Sequence, residues 1–350
     1  MNLQSPREER LVQLASELIA IPSLSGREHA ASDWVERQLR SFGMRDVHRL
    51  RVPDSADTVV ARIEGDQDSD GLLLGFHVDI EELAPDWKTD PFTPRRDNEK
   101  LFGAGAHDMK AGAAAILGAV EIFLSERPRL RAPLVIAATT DEIRWSRGAH
   151  VVIQSGLLHG CLYALVGEPS PEFTFHDGCR GRHILALHYN KETEAALRVA
   201  PLAQEGERFS LRRVGDELIL NAYVLPEHNV AHLVEAVRRI VGEVEMRVDP
   251  RPTPAPMAFR LPPDSRIVQT LRAAIGSRAR AELTHNVCDA NHFFAAGLEP
   301  VIYGPTGGNT DKADEYLEIG SMMRVAETYL RVIRQLIATT ATPSDLMGAS

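Results

Sequence analysis

Gly75-Phe76-His77-Val78-Asp79 and, about thirty residues on, Leu101-Phe102-Gly103-Ala104-Gly105-Ala106-His107-Asp108-Met109-Lys110-Ala111-Gly112 are the segments that decide how this chain folds. Residues 71–76 form an apolar run of strand length, which reads as a buried strand, and His77 falls where that strand should end. Asp108 stands in a glycine-punctuated loop directly before a long apolar stretch, which places it near a helix N-terminus. In an open α/β sheet the ligand crevice lies outside the carboxyl ends of the strands. The spacing therefore predicts that both side chains face one cleft. Histidine with aspartate is a metal-ligand pairing.

Working outward, residues 11–18 continue a charged opening with helical period, which breaks at Ile21-Pro22-Ser23. Ser25-Gly26-Arg27-Glu28 reads as a helix start, with Ser25 as N-cap and Glu28 three residues on, and that helix should run to about Phe42. Strands are expected at 58–63 and 72–76, an Ala-rich helix after Asp108 to about Ser125, and further strands at 133–138 and 162–166. Thr139-Thr140-Asp141-Glu142 and Gly167-Glu168-Pro169 follow those last two strands. Strands alternating with helical segments predict an α/β sheet.

The rhythm changes between about Arg180 and Pro256. Residues 182–189, 208–214, 217–224 and 244–248 read as strands and 229–241 as an amphipathic helix, the content of a small α+β unit. Gly178-Cys179-Arg180-Gly181 and the proline cluster 250–256 bound it, as glycine and proline clusters bound domains. The expected organisation is a first catalytic part over 1–180, an inserted domain over 181–256 and a second catalytic part over 257–350, where Pro300 to Tyr303 form a short strand before Gly304-Pro305.

Composition excludes several classes. A chain of 350 residues with 44% hydrophobic and 25% charged residues has the make-up of a globular protein with ample core. A net charge of -10 argues against nucleic acid or an anionic membrane surface as partner. The three cysteines, Cys161, Cys179 and Cys288, are too scattered for a disulfide framework or a CxxC site. The opening residues lack a signal-peptide core, and the most apolar stretch, 111–124, contains Glu121 and is too short to span a bilayer. The expected location is the cytoplasm.

Four acidic or imidazole positions fall at predicted strand ends: His77, Asp108, Asp141-Glu142 and Glu168. One alone would read as a hydrogen-bonded structural residue, and Asp108 alone as an acid favoured by a helix dipole. Four on one sheet edge are harder to assign to solvated surface. A catalytic metal site takes about three protein ligands and keeps one position open. His77, Asp108 and Glu168 supply that number. Asp79 is placed to accept the other imidazole N–H, and Glu142 remains for general-base work on water. Such a donor set accommodates zinc, manganese or cobalt. Rival chemistries find less support. The GxGxxG pattern is incomplete at Gly103-Ala104-Gly105, no G-x-S-x-G elbow occurs, and Cys179 and Cys288 lack a base motif.

Taken together, Ile21-Pro22-Ser23, His77-Val78-Asp79, Trp87-Lys88-Thr89-Asp90-Pro91-Phe92, residues 101–112, residues 140–149, Val166-Gly167-Glu168-Pro169, Gly304-Pro305 and Asp314-Glu315-Tyr316 resemble the M20 metallopeptidase family. The similarity is to the acetylornithine deacetylase and succinyl-diaminopimelate desuccinylase branch, and it covers most of the chain outside 180–256. It implies an aminopeptidase-like α/β catalytic domain, a mixed sheet flanked by helices, with a small inserted α+β lid. It also implies hydrolysis of amide bonds of peptides or N-acyl amino acids with two zinc ions. Asp108 would bridge the ions, His77 and Glu168 would complete one site, and Glu142 would be the base.

The chain departs from that pattern at the second ion. The family's Glu after the base falls on Ile143, counting back from Gly148-Ala149, and its C-terminal His falls on Asp311, counting back from Glu315. Isoleucine offers no donor atom, while Asp311 keeps one as a weak second-metal ligand. One ion rather than two is the expectation. Two alternatives stay open: a one-residue shift that makes Glu142 the ligand and Asp141 the base, or replacement of the lost ligand by His107, His150 or His292. Ala104 replaces the glycine loop's Arg, Trp145 stands where the family has Gly, Asn221-Ala222-Tyr223 replaces its Asp-x-Arg, and the lid His has no counterpart after Tyr189. The expected function is hydrolysis of a small-molecule amide or peptide by a monomer or homodimer. The alternatives are a repurposed biosynthetic protein with other acyl chemistry and a non-catalytic ligand-binding homologue.

Overall fold

The computed structural model describes residues 5–199, 208–249 and 256–339. Most of the proline cluster that was expected to bound the insert therefore lies outside the described residues. Helix α1 (Pro6–Ile19) starts on Ser5, whose Oγ accepts from Glu8 N at 3.2 Å, and buries Leu11, Leu14 and Leu18 along one face. Helix α2 (His29–Ser41) begins later than the Ser25 cap predicts, on Glu28, which makes no side-chain cap. Both residues of the expected capping box are engaged elsewhere. Ser25 Oγ donates to Asp79 at 2.5 Å, and the Glu28 carboxylate accepts from Gly26 N, Ser55 Oγ and Ala56 N. Long-range partners outcompete the local motif.

Strands β1 (Asp46–Leu50), β2 (Thr58–Ile63) and β3 (Gly71–His77) are followed by the short β4 (Arg95–Asp97) and β5 (Lys100–Phe102). A wide turn over Ala106–Lys110, with a cis Asp108–Met109 peptide, leads into α3 (Ala111–Ser125). Then come β6 (Leu134–Thr139), α4 (Glu142–Trp145), α5 (Arg147–Gln154), β7 (Cys161–Val166) and β8 (Thr174–Cys179). The next group is β9 (Gly181–His188), α6 (Lys191–Val199), β10 (Arg208–Val214), β11 (Glu217–Val224), α7 (Val230–Val241) and β12 (Met246–Asp249). The chain continues through β13 (Phe259–Arg260), α8 (Arg266–Ile275), β14 (Arg280–Thr284), α9 (Asp289–Ala295) and β15 (Glu299–Ile302). It closes with β16 (Gly307–Gly308), β17 (Tyr316–Glu318) and α10 (Ile319–Ile337).

The main sheet is mixed, in the order β1-β2-β6-β3-β7-β15-β8-β13, with β14 beside β8. Strands β6, β3, β7 and β15 run parallel, with His77 opposite Thr139 and Ile302 opposite Val166. Their carboxyl ends therefore share one edge. Every residue of β3 and β6 is buried, as expected of parallel strands covered on both faces. Helices α3 and α10 lie against β3, and α2, α5 and α9 pack on β2, β6, β7 and β15. Helix α3 is apolar nearly all round because it is buried nearly all round.

A second, antiparallel sheet, β10-β11-β9-β12, carries its own core of Leu185, Leu187, Leu218, Leu220, Leu233 and Val237. Burial along β11 alternates residue by residue, the mark of a sheet covered on one face. Helix α7 opens on Asn229, whose Oδ1 accepts from Ala231 N and His232 N. A third sheet, β16-β17-β5-β4, frames the Asp108 turn.

Candidate active site

His77 ends β3 with its side chain 1% exposed. Its Nδ1 lies 3.0 Å from the Asp79 backbone carbonyl, so Nδ1–H donates there and Nε2 is left for the cleft. Around Nε2 stand Asp108 Oδ1 at 3.2 Å, Glu168 Oε1 at 3.6 Å and Glu142 Oε2 at 3.9 Å. Parallel register brings them together: Glu142 follows β6 and Glu168 follows β7 at the edge where β3 ends. Donor atoms of His77, Glu142 and Glu168 lie within 4.8 Å of one another, so Glu142 sits as deep in the cluster as the expected ligands.

Charge explains what the cluster needs. Burial alone would depress the His77 imidazole, but Glu168, Asp108, Asp79 and Glu142 raise it well above its ordinary value. Burial pushes Glu142 well above the carboxylate range, with Glu168 and Asp289 adding to the effect. Burial does the same to Glu168, helped by Asp108. Three carboxylates share one imidazole, an excess that a divalent cation neutralises, and the N and O donors are those such ions take. The residues fit a metal.

Asp79 is fully buried and meets the His77 Nδ1 side, as expected, mainly through its backbone. Its carbonyl, not its carboxylate, is the near partner of His77; the carboxylate is 3.5 Å away. That carboxylate accepts from Ser25 Oγ at 2.5 Å, Glu142 N at 3.2 Å and Ile143 N at 3.1 Å. Asp79 thereby ties the start of α4, and Glu142 with it, to the end of β3.

Asp108 is held by a residue whose role the sequence did not disclose. Buried Glu315 accepts from Gly105 N at 2.8 Å and from His107 N and Asp108 N at 2.9 Å each. Burial nevertheless pushes it up to about 8. Lys110 Nζ donates to the Ile21 carbonyl at 3.0 Å, and burial lowers it to about 7. Around Glu168 the backbone is packed too tightly for side chains. A Cβ on Gly112 would lie 1.9 Å from the Gly167 carbonyl oxygen, and one on Gly304 would lie 2.2 Å from that of Glu168.

Asp141 is buried and bound at both oxygens by Arg147, at 2.7 and 2.8 Å, an arrangement that engages it away from the role of base. Ile143 and Asp311 line the same cavity, of about 680 Å3, as Asp108, Glu142 and Glu168. Burial, with Asp108 and Glu81 beside it, pushes Asp311 up to about 6. His107 Nδ1 pairs with Thr310 Oγ1 at 2.7 Å, and His150 pairs with His292. Further residues join them. Asp289, at the start of α9, accepts from Thr139 Oγ1 at 2.6 Å, and Arg144, Arg182 and Tyr223 line the cavity.

A parallel-sheet edge bearing an imidazole among carboxylates, beside a large cleft, has the make-up of a divalent-metal site on an α/β fold. The chain belongs to Peptidase family M20/M25/M40, whose sequence profile matches residues 73–335. It is similar to a succinyl-diaminopimelate desuccinylase of Buchnera aphidicola, 32% identical over 165 residues that cover 46% of this chain and 43% of that protein. This chain therefore matches less than half the length of that relative. With the succinyl-diaminopimelate desuccinylase of Burkholderia multivorans it shares 26% identity over 325 residues, 78% of this chain and 86% of the other. Among solved structures, a tripeptidase of Staphylococcus aureus superposes with TM-score 0.73 at 18% identity, covering 94% of this chain and 98% of that one. No helix among the described residues is long and apolar enough to cross a membrane.

Proposed function

We propose that this protein hydrolyses the amide bond of a small, carboxylate-bearing substrate, an N-acyl amino acid, a short peptide or a related conjugate, with one divalent ion. The observation that carries this reading is the convergence of Asp108, Glu142 and Glu168 on His77 Nε2, at distances from 3.2 to 3.9 Å. His77, Asp108 and Glu168 would hold the ion, zinc in the first place and manganese or cobalt as alternatives. A bound ion supplies Lewis-acid polarisation of the scissile carbonyl and makes water more acidic.

The remaining work falls to the chain. Glu142, as the carboxylate, takes a proton from water as the water oxygen attacks the carbonyl carbon. The same proton passes to the amide nitrogen as the C–N bond breaks, releasing a carboxylate and an amine. Asp79 fixes the His77 ring and the Glu142 backbone. Arg144 and Arg182 are cations on the cavity wall suited to a substrate carboxylate, and Trp145 and Tyr223 give it apolar surface. Residues 181–256 serve as the lid, on a monomer or homodimer. The single ion follows from Ile143, which has no donor atom where a second site needs one. The same residue favours a second reading, an M20-like protein turned to other acyl chemistry.

The test is metal-dependent amine release from a panel of N-formyl, N-acetyl and N-succinyl amino acids and dipeptides, with the ion content measured in parallel. Turnover by protein carrying one equivalent is expected. Glu142→Gln should lower kcat about 10²–10⁴-fold at unchanged metal content. Failure of every amide with metal-loaded protein, or full activity of Glu142→Gln, overturns the reading.

A further inference from the structure

We infer that His292 is a catalytic residue whose Nε2–H donates a hydrogen bond to the scissile carbonyl oxygen as negative charge builds there. The inference rests on the hydrolase reading above and adds to it a group outside the proposed ion ligands. His292 lies on α9, and it lines the same cavity as Glu142, Glu168 and Cys288, the residue that caps α9. The helix is anchored at the sheet edge. Thr139, the last residue of β6, donates to Asp289, and the buried Asn291 amide donates to the carbonyls of Arg180 and Met257 at 2.7 and 2.8 Å. A side chain on this helix is therefore held in place before substrate arrives, which is the condition for electrostatic stabilisation of a developing oxyanion.

The ring itself is also fixed. His292 is 2% exposed, and its Nδ1 lies 3.1 Å from His150 Nε2, with the two rings edge to face, 4.4 Å apart at 90°. Only one of the two facing nitrogens can carry the shared proton. Of the two arrangements open to this pair, donation to the substrate requires the one in which His150 Nε2–H is the donor, His292 Nδ1 the acceptor and the His292 proton sits on Nε2. No hydrogen bond to His292 Nε2 occurs among the described residues. Burial and the neighbouring His150 hold the ring down at about 3, so it works as a neutral hydrogen-bond donor rather than as a proton source. His150, half-buried on α5, is the positioning residue that sets the tautomer.

The metal-loaded, full-length protein provides the test. His292→Ala should lower kcat about 10²–10³-fold, with KM within a few-fold and ion content unchanged. His292→Gln, which offers an N–H at similar reach, should recover part of that loss. His150→Phe should lower kcat about tenfold by freeing the tautomer. A His292→Ala kcat within threefold of wild type overturns the inference while leaving the hydrolase reading intact. A second readout serves where variants fail to fold or the wild type turns over no amide. ¹⁵N NMR of the wild-type imidazoles should show a buried ring protonated at Nε2 whose signal moves on adding an N-acetyl aminophosphonate. His292 protonated at Nδ1, or unmoved by that probe, overturns the inference.

Discussion

The two sides of Asp108 are built differently. On one side stand His77, Glu142 and Glu168, each delivered by or just after a buried parallel strand and each backed by further contacts. On the other, Asp108 shares a small recess with Glu81 and Asp311, which come from loops. Ile143 at the cavity wall contributes only its backbone N–H, to Asp79. Strand ends are placed by the whole sheet, so a residue there is difficult to lose without moving its neighbours. Loop positions are free to change chemistry, and Glu81 and Asp311 sit in such loops. The one-ion proposal places the ion on the strand-end side of this contrast.

The largest effect that could break this comparison is at its hinge. Asp108→Ala should release the proposed ion, abolish turnover and lower the melting temperature by the binding free energy that the ion contributes to the folded state. Unaltered metal content would show that the cluster is not the site. Asp79→Asn comes next. It keeps the carbonyl that orients His77 but weakens the carboxylate that ties Glu142 and Ile143, so metal affinity should fall about 10–100-fold. An affinity equal to wild type in a competition titration would reduce Asp79 to packing. The reciprocal experiment equips the weak side: Ile143→Glu with Asp311→His should raise stoichiometry from one ion towards two. A wild-type protein that already holds two equivalents would collapse the distinction.

Much of the strong side is legible in sequence because parallel, fully buried strands are written as continuous apolar runs. The expected strands at 133–138 and 162–166 lie within one residue of the parallel β6 and β7, and the antiparallel 58–63, 208–214 and 217–224 coincide with β2, β10 and β11. The run at 72–76 extends to His77 because His77 pairs with Thr139. What escaped depends on partners far along the chain. Ser25 and Glu28 have the letters of a helix cap, yet Asp79, Ser55 and Ala56 claim them. The Glu315 clamp joins residues about 210 positions apart, and no local pattern announces it. Strands such as β16, only Gly307–Gly308, exist because a neighbour pairs with them and not because of any periodicity.

The smallest expected effect is a pH dependence that probes how dry the strong side is at α9. Burial holds His292 at about 3 in the folded protein, whereas an unfolded histidine titrates near 6.5. Between those values the unfolded chain binds one proton more than the folded one, so stability rises with pH across the window. The contribution is fully present above about pH 6.5 and is lost as pH falls towards 3. Other groups titrate there too, so the informative quantity is a difference. Going from pH 7 to pH 5, wild type should lose on the order of 1–2 kcal/mol more unfolding free energy than His292→Gln, read from denaturant midpoints. Equal losses in the two proteins would mean that its surroundings do not hold the His292 ring neutral in the folded protein.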